Sequence, residues 1–339
     1  MAVRVAINGF GRIGRAFLRA SWSDPEVEII AINDLGDIAN LAYLLQYDSV
    51  YRTFSQKVSV DNGQLAVGGK RIHITAEKDP TKLPWSSLNI DVAVESTGVF
   101  DSYEKASAHL TAGAKHVVIS APVKDEMAGA GTILMGVNED KLASCQITSN
   151  ASCTTNSVSP LIAILDEKIG IEKALLNTTH AYTATQSIVD SPVKGSDYRR
   201  GRAAAQNMSP SSTGAAVAVT KAYEQLTSKF DGISIRVPVV AGSIADVTFL
   251  AKRDTTAEEV NKILEDAAKE DRWQGIFDAT REQLVSGDII GNPHASIADL
   301  GMTRVVGGNL VKVLAWYDNE MGYTHTLITH VKKAGAHAK

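Results

Sequence analysis

Apolar positions in the first 120 residues fall into short runs separated by stretches with helical spacing. The runs predict buried strands at residues 3–8, 28–33, 71–76, 90–95 and 116–120. The stretches between them predict helices at residues 12–21, 38–46 and 102–112. A hairpin is expected where two further short strands flank Asn62-Gly63. Strands that alternate with helices and end in small residues predict an α/β fold, a doubly wound Rossmann-type parallel sheet.

The same pattern continues in the second half of the chain with a different order of elements. It predicts strands at residues 174–179, 232–238, 245–251 and 310–317. Helices are predicted at residues 157–165, 255–269 and 324–333. With 339 residues, the chain exceeds the size at which one hydrophobic core stops growing, so we expect two domains.

Composition narrows the class of protein. The net charge of -4, with no basic run, gives no electrostatic reason to bind nucleic acid. Two cysteines, Cys145 and Cys153, cannot form a disulfide framework and suit a reducing cytosol. The first strand starts at once, which leaves no room for a signal peptide, and no apolar run has membrane-spanning length. We therefore expect a cytoplasmic protein.

A glycine motif follows the first strand. Gly9, Gly11 and Gly14 form G-x-G-x-x-G between a strand and a helix, the context that makes this motif credible. Gly9 permits a tight turn, Gly11 lets a pyrophosphate approach the backbone, and Gly14 lets helix and strand pack closely. The motif predicts a dinucleotide cofactor.

Acidic and small residues at the ends of later strands refine that prediction. Asp34 ends the second strand, 20 residues after Gly14, where a carboxylate binds ribose hydroxyls and repels a 2'-phosphate. This favours NAD over NADP; the alternative is a surface Asp that closes a strand. Thr97, Gly98 and Ser120 follow other strands at the same edge, so they are candidates to line the cofactor site, or ordinary loop residues.

Cys153 lies in a segment of small polar residues, 149–156, between an apolar segment and a predicted helix. A thiol near a helix N-terminus is expected to lose its proton more easily, and nearby hydroxyls and amides could hold an oxyanion or a phosphate. The alternative is a small buried Cys in a Ser/Thr-rich turn. His180, at the end of a strand, is a general-base candidate or a structural histidine.

Several cations and small residues could meet an anion. Arg236 lies inside an apolar strand, where a guanidinium needs a carboxylate or phosphate partner. The long loop at residues 187–202 carries Lys194, Arg199, Arg200 and Arg202, either for binding or as a solvated charge run. Residues 210–216 resemble a helix start suited to an anion.

Six motifs in order resemble phosphorylating glyceraldehyde-3-phosphate dehydrogenase over essentially the whole chain. They are residues 7–15, 149–156, 180–183, 212–216, 235–238 and 316–320. The chain departs from the common family pattern at Ser157, at Met321 and around Ser191-Pro192, where the loop carries about one extra residue before Arg199.

The resemblance implies a role for each matching residue. Cys153 is implied as the nucleophile and His180 as its base. The two phosphate subsites are implied to use Ser152, Thr154, Thr183, Arg200, Thr213, Gly214 and Arg236. Further cofactor contacts are implied at Arg12, Ile13, Lys78, Ser120 and Asn319, beside Asp34.

The resemblance also implies domains and assembly. An NAD-binding domain is expected at residues 1–151 and an α+β catalytic domain with a mixed sheet at 152–318. A C-terminal helix at residues 319–339 is expected to return to the first domain. Family members are homotetramers whose long loop packs against a neighbouring subunit's cofactor site.

The implied activity is oxidation and phosphorylation of glyceraldehyde 3-phosphate with NAD, through a thiohemiacetal and a thioester on Cys153. Three alternatives remain open from the sequence. They are an erythrose-4-phosphate dehydrogenase, a nucleotide- or RNA-binding protein, and a thiol redox sensor.

Overall fold

The structure is a computed structural model that describes residues 1–193 and 195–338. It divides into two compact units. The first comprises residues 1–135, 139–151 and 324–338, and the second comprises residues 136–138 and 152–323. Lys194, one of the cations predicted for the long loop, lies outside the described residues.

The first unit is built on a nine-stranded sheet. Its elements are β1 (Val3–Asn8), α1 (Arg12–Ser21), β2 (Val27–Asn33), α2 (Ile38–Gln46), β3 (Val58–Asp61), β4 (Gln64–Val67), β5 (Lys70–Thr75), β6 (Val92–Glu95), α3 (Tyr103–Ala106), α4 (Ala108–Thr111), β7 (His116–Ile119), β8 (Ala130–Thr132) and β9 (Ile147–Ser149).

The strand order of this sheet is β3-β4-β5-β2-β1-β6-β7-β9-β8. Strands β5, β2, β1, β6, β7 and β9 run parallel, while β3, β4 and β5 form the antiparallel hairpin edge. The chain builds the sheet outward from β1, first on one side and then on the other. The predicted doubly wound sheet is therefore confirmed, with a crevice beyond the carboxyl ends of β1 and β6.

The second unit contains a seven-stranded mixed sheet. Its elements are α5 (Cys153–Ile169), β10 (Ile171–Ala181), β11 (Ser209–Ser212), α6 (Ala215–Ala222), β12 (Phe230–Val237), β13 (Ser243–Ala251), α7 (Ala257–Ala267), β14 (Phe277–Thr280), β15 (Ser296–Val306), β16 (Leu310–Tyr317) and the start of α8 (Met321–His337). The order is β11-β12-β10-β13-β16-β15-β14. Only β10/β12 and β14/β15 among these pairs are parallel, so the predicted mixed sheet is confirmed.

Helix α5 is the buried centre of the second unit. It begins at Cys153, four residues before the predicted start, because Ser152 caps it: the Ser152 Oγ accepts a hydrogen bond from the Thr155 backbone N–H at 3.1 Å. Every residue from Thr154 to Leu165 is buried. A helix that is enclosed on all sides fixes the residue at its N-terminus firmly.

Other predicted elements need correction. The helix expected at residues 102–112 is two short helices, α3 and α4, separated at Ser107. The helix start expected at residues 210–216 is wrong in its first half, because Ser209–Ser212 pairs with β12 and α6 begins only at Ala215. The long strand β15 was not predicted.

The part of α8 that belongs to the first unit contacts the segment that follows β9. Asn150 donates from Nδ2 to Thr326 Oγ1 at 3.4 Å, and its Oδ1 lies 3.0 Å from His330 Nδ1. Lys332 forms an ion pair with Asp24 at 3.1 Å. Among the described helices, none combines the length and the apolar composition required to cross a bilayer.

His330 makes this contact sensitive to acid. The side chain is fully buried and its Nε2 has no hydrogen-bond partner, and burial lowers the pKa of His330 to about 3. Because the folded pKa lies below the unfolded value of about 6.5, protonation favours the unfolded state. The stability contribution is complete above pH 6.5 and is lost as the pH falls toward 3.

We expect His330→Asn to reduce the loss of stability between pH 7 and pH 5 by about 2 kcal/mol, the linkage value for one such imidazole. Urea unfolding of the variant and the native protein at both pH values measures this difference. His294→Asn, a substitution in the second unit, is the control. Equal acid sensitivity of the His330 variant and the native protein would contradict the assignment.

Candidate functional site

The glycine turn after β1 has the geometry of a phosphate-binding turn. A side chain at Gly9, where φ is 93°, would meet the Thr97 backbone nitrogen at 2.5 Å, and one at Gly14 would meet the Gly9 carbonyl at 2.3 Å. A side chain at Gly11 would meet nothing within 4 Å. The residue that caps α1 is Gly11, which has no side chain to bond the first turn, and a helix N-terminus favours an anion. The turn therefore fits a pyrophosphate.

A cavity of about 340 Å³ opens beside this turn. It is lined by Asn8, Gly9, Gly11, Asn33, Asp34, Leu35, Glu77, Lys78, Pro80, Ser96, Thr97, Val99 and Phe100. The predicted cofactor residues Gly9, Gly11, Asp34, Lys78 and Thr97 are thus brought together at one edge of the sheet.

Asp34 is held in place by backbone amides. Its Oδ2 accepts a hydrogen bond from Phe10 N at 2.7 Å, and its Oδ1 accepts one from Gly36 N at 2.8 Å. A carboxylate fixed at the end of β2 suits the ribose hydroxyls of a dinucleotide. The chemistry and position of these residues fit NAD.

Six other predicted cofactor residues, including Gly98, do not line this cavity. Gly14 packs against the turn, and Ile13 is half-buried in the first turn of α1. Arg12 forms an ion pair with Asp48, and the Ser120 backbone N–H donates to Glu95 O at 2.9 Å. Asn319, predicted as a further contact, belongs to the second unit.

Cys153 and His180 lie side by side in the second unit. Cys153 opens α5, His180 lies one residue before the end of β10, and the Sγ to Nε2 distance is 3.4 Å. His180 is only 3% exposed. The two residues are 27 positions apart in the chain and are brought together by the packing of α5 on the sheet.

The contacts of His180 decide which ring nitrogen carries the proton. Its Nδ1 lies 2.6 Å from the carbonyl of Ala181, an acceptor that requires a proton on Nδ1. The Arg236 Nη1 can only donate, and it lies 3.0 Å from Nδ1 and 3.3 Å from the same carbonyl. The shorter contact of Nδ1 with the carbonyl favours the proton on Nδ1, and the carbonyl is then the acceptor for Arg236. The lone pair of Nε2 therefore faces the thiol. This is the tautomer of a general base.

Burial sets the charge of this pair. Desolvation, reinforced by the positive charge of Arg236, lowers the pKa of His180 to about 3, so the imidazole is neutral at pH 7. Desolvation also raises the pKa of the Cys153 thiol, while Arg236 and the hydrogen bonds of Thr154 act in the opposite direction. Burial thus opposes the predicted acidity of the thiol and favours a neutral thiol beside a neutral imidazole.

Arg236 lies beside His180 because their strands pair in parallel with these residues in register. Among the residues that the structure describes, no carboxylate lies within ion-pair distance of its guanidinium. Burial lowers the pKa of Arg236, and the nearby charge of Arg200 lowers it further. The sequence predicted either a carboxylate or a phosphate as the partner of Arg236. Since no such carboxylate is found among the described residues, an external anion such as phosphate is the partner that fits.

Arg200 and Thr183 lie in one polar cluster despite the extra residue in the loop. Thr185 Oγ1 is 3.0 Å from Thr183 Oγ1 and accepts from Arg200 Nη1 at 3.3 Å. Arg200 Nη2 donates to Ser211 Oγ at 3.1 Å. Arg200 also forms an ion pair with Asp197, at 3.6 Å, and shares that carboxylate with Arg199. Arg202 pairs with Asp190, as a solvated charge run would.

The remaining predicted phosphate ligands differ in availability. Gly214 precedes α6, whose first turn has no side-chain cap, and Thr213 Oγ1 accepts from the Ala215 N–H at 3.2 Å. Ser152 Oγ lies 2.7 Å from Thr155 Oγ1. Thr154 is buried, and its hydroxyl lies 2.9 Å from the Tyr317 hydroxyl.

Tyr317 is a site residue that the sequence analysis missed. Its hydroxyl lies between Thr154 Oγ1, at 2.9 Å, and Thr178 Oγ1, at 2.7 Å. Its ring packs edge-on against the His180 ring, with centroids 5.9 Å apart. Tyr317 thus ties the first turn of α5 to β10. The family motif at residues 316–320 includes Tyr317 and could have indicated it.

Two chemical functions are therefore built into the chain: a dinucleotide pocket in one unit, and a thiol with its base in the other. Together they define the class of nicotinamide-dependent oxidoreductases that act through a cysteine.

Comparison with known proteins identifies the family within this class. The model for the glyceraldehyde 3-phosphate dehydrogenase NAD binding domain matches residues 3–103, and that for the C-terminal domain matches residues 152–319. The Bacillus subtilis glyceraldehyde-3-phosphate dehydrogenase 1 is 48% identical over 330 residues, 97% of each chain. The Thermotoga maritima enzyme is 49% identical over 328 residues, 96% of this chain and 97% of that one. The chain belongs to the glyceraldehyde-3-phosphate dehydrogenase family, and its cofactor is NAD, as predicted.

We expect Arg236→Leu to move the pH profile of Cys153 alkylation to higher pH, because the guanidinium lowers the pKa of the thiol. At pH 8 the rate with iodoacetamide should fall about threefold or more. Both proteins should carry Cys145→Ser so that one thiol reacts. Arg253→Leu, which removes a surface pair with Glu259, is the matched control. An unmoved or lowered midpoint would show that Arg236 does not act on the thiol.

Proposed function

We propose that the chain oxidises D-glyceraldehyde 3-phosphate with NAD and inorganic phosphate, to give 1,3-bisphosphoglycerate, through covalent intermediates on Cys153. The observation that carries this proposal is the 3.4 Å approach of Cys153 Sγ to Nε2 of His180. The family relation supports the reaction. The family residues that match Cys153 and His180 support their roles as nucleophile and base.

The first chemical step starts from a neutral Cys153 thiol and a neutral His180 imidazole. As the sulfur attacks the aldehyde carbon, its proton passes to Nε2 of His180 and the carbonyl electrons move to oxygen, which forms a thiohemiacetal. The backbone amide at the start of α5 and the new Nε2–H can stabilise the oxyanion. The gain of a proton is easiest at this moment, because the developing negative charge offsets the desolvation of the imidazolium.

NAD held by the glycine turn, Asp34, Lys78 and Thr97 would supply the hydride acceptor needed to oxidise this adduct to a thioester on Cys153. An oxygen of inorganic phosphate then attacks the thioester carbon, and the Cys153 sulfur leaves as a thiolate that recovers its proton from His180. The product is an acyl phosphate. We propose that Arg236, Arg200, Thr183, Thr213 and Gly214, with Ser152 and Thr154, form the two phosphate subsites.

Cofactor binding is proposed for the glycine turn, Asp34, Lys78 and Thr97, with Arg12, Ile13, Ser120 and Asn319 as further contacts. The proposed domains are residues 1–151 for NAD binding, 152–318 for catalysis, and 319–339 as a segment returning to the first. The spans of the two family models support this division. The contacts of Thr326 and His330 with Asn150 support the last segment.

We further propose a homotetramer in the cytoplasm. An open groove of about 840 Å³ lies on the sheet of the second unit. It is bordered by Leu175, Val217 and Leu310, which are 66%, 52% and 40% exposed. Leu175 and Leu310 lie on strands β10 and β16, and Val217 lies on helix α6. Exposed apolar side chains that border one groove are typical of a surface that a second copy of the chain covers.

We expect Cys153→Ser to lower phosphate-dependent NADH formation by about 10³-fold or more, because a hydroxyl is a far weaker nucleophile than a thiol in this setting. NAD should still bind, as calorimetry would show. Cys145→Ser, which changes the other cysteine, is the control and should keep its rate. Near-normal turnover by the Cys153 variant would refute the proposed mechanism. Erythrose 4-phosphate in the same assay tests the related activity.

We expect Asp34→Ala to narrow the preference for NAD over NADP by about tenfold or more, because the carboxylate no longer binds the ribose hydroxyls or repels a 2'-phosphate. The measurement is the ratio of the two kcat/KM values. Asp61→Ala, in the exposed hairpin, is the control. An unchanged ratio would mean that another residue discriminates between the cofactors.

A further inference from the structure

Three buried polar side chains form a hydrogen-bonded line across the ends of β6, β1 and β2, called here the amide relay: Glu95, Asn8 and Asn33. Glu95 Oε2 accepts from Asn8 Nδ2 at 2.6 Å, and Asn8 Oδ1 accepts from Asn33 Nδ2 at 2.8 Å. The exposed fractions are 2%, 1% and 5%. The relay lies directly under the dinucleotide pocket, which Asn8 and Asn33 line.

The contacts of Glu95 suit a carboxylate that accepts hydrogen bonds at both oxygens. Oε1 lies within hydrogen-bond distance of the backbone N–H and the hydroxyl of Thr97, at 2.7 and 2.5 Å. Oε2 lies 3.0 Å from His109 Nε2. The indole N–H of Trp85, which can only donate, lies 3.0 Å from His109 Nδ1, so the proton of His109 is on Nε2 and points to Glu95. Four donors thus converge on the two oxygens, counting Asn8.

This carboxylate sets the orientation of both amides. A carboxylate can only accept, so Asn8 must turn its Nδ2 toward Glu95 and its Oδ1 toward Asn33. Asn33 must then turn its own Oδ1 away, where it accepts from Thr75 Oγ1 and from the Glu77 backbone N–H, both at 2.8 Å. A reversed amide anywhere in the relay would set two donors against each other.

The relay also joins the two turns that border the pocket. Thr97, held by Glu95, lies against Gly9, where an added side chain would come within 2.5 Å of the Thr97 nitrogen. Ser96 Oγ donates to the Gly9 carbonyl at 2.7 Å. A change in the orientation of Asn8 or Thr97 therefore reaches the glycine turn.

We propose that Glu95 is a positioning residue for the dinucleotide: its charge orients the amide relay and so preforms the pocket beside the glycine turn. The inference rests on the proposed cofactor site. Glu95 does not contact the dinucleotide itself and acts through Asn8 and Thr97.

The first test is Glu95→Gln, which keeps the shape and removes the charge. The new amide NH₂ must face either Thr97 or the pair formed by Asn8 and His109, so at least one donor loses its acceptor. The Kd for NAD should rise about tenfold or more, because reorienting charge-assisted hydrogen bonds precedes binding. The KM for glyceraldehyde 3-phosphate and the alkylation rate of Cys153 without NAD should stay within about twofold, since neither depends on this pocket.

The second test moves the charge from one member of the relay to the next. Asn8→Asp alone places two carboxylates in contact and should weaken NAD binding as much as Glu95→Gln does. In the double variant, which combines Asn8→Asp with Glu95→Gln, the introduced glutamine donates from its amide nitrogen to the introduced carboxylate. That carboxylate also accepts from Asn33, while the glutamine oxygen still accepts from Thr97. The N–H of His109, which now points to the Glu95 Oε2 at 3.0 Å, must turn to the introduced carboxylate at the position of Asn8 Nδ2, 3.4 Å away.

The double variant therefore has a complete relay again. Its Kd for NAD should return to within about threefold of the native value. The second substitution would then restore the affinity that the first one removes, which two independent effects on NAD binding would not do.

The outcomes separate the possibilities. An unchanged Kd for Glu95→Gln, or a double variant that binds NAD as weakly as the single ones, would overturn the inference. If Glu95→Gln does not fold, as circular dichroism would show, the double variant decides: native-like affinity supports the relay, and misfolding or weak binding overturns it.

Asp34→Ala tests the proposed cofactor site itself. If neither that variant nor Glu95→Gln alters NAD binding, the cofactor site is wrongly placed; if only Asp34→Ala does, the relay alone fails.

Discussion

The chemistry of the second unit depends on one proton, the one between Nδ1 of His180 and the carbonyl of Ala181. While that proton stays on Nδ1, the Nε2 lone pair is directed at Cys153 and the imidazole can act only as a base toward the thiol. Arg236 reinforces this state, because its charge opposes a second proton on the ring. Burial keeps the pair neutral until a substrate carbon removes electrons from the sulfur. Cys153 and His180 therefore become charged only as the substrate reacts, and not beforehand.

The residues that carry chemistry could be predicted because their position is a local property of the sequence. Gly9 follows a strand, Asp34 ends one, and Cys153 and His180 follow apolar segments that bring strand ends to one place. The acidity of the thiol could not be predicted in this way. It depends on how completely α5 and the sheet exclude water, which is a property of the packed unit. Tyr317 was missed for a similar reason, since only the fold shows that its hydroxyl joins Thr154 and Thr178.

The same distinction applies to the fold. Continuous apolar runs predicted β1, β2, β5, β6 and β7 to within two residues at each end, whereas the short parallel strands β8 and β9 were not predicted. Strand β15 was missed because Asp299 and Gly301 interrupt its apolar pattern, and the structure accommodates them with a shift of register in this stretch. Helix α5 was predicted to begin too late because Ser, Thr and Asn are poor helix formers. Burial by the surrounding elements overrides that preference.

The amide relay places an Asn-Gly dipeptide, the pair most prone to spontaneous deamidation, at the point where β1 enters the glycine turn. Conversion of Asn8 to a carboxylic acid would bring a second negative charge to a place where Nδ2 now lies 2.6 Å from Glu95. The enclosure of Asn8, which leaves 1% of the residue exposed, limits access of water to that amide. Burial of the amide relay therefore protects this asparagine from a change that would place like charges in contact beneath the dinucleotide pocket.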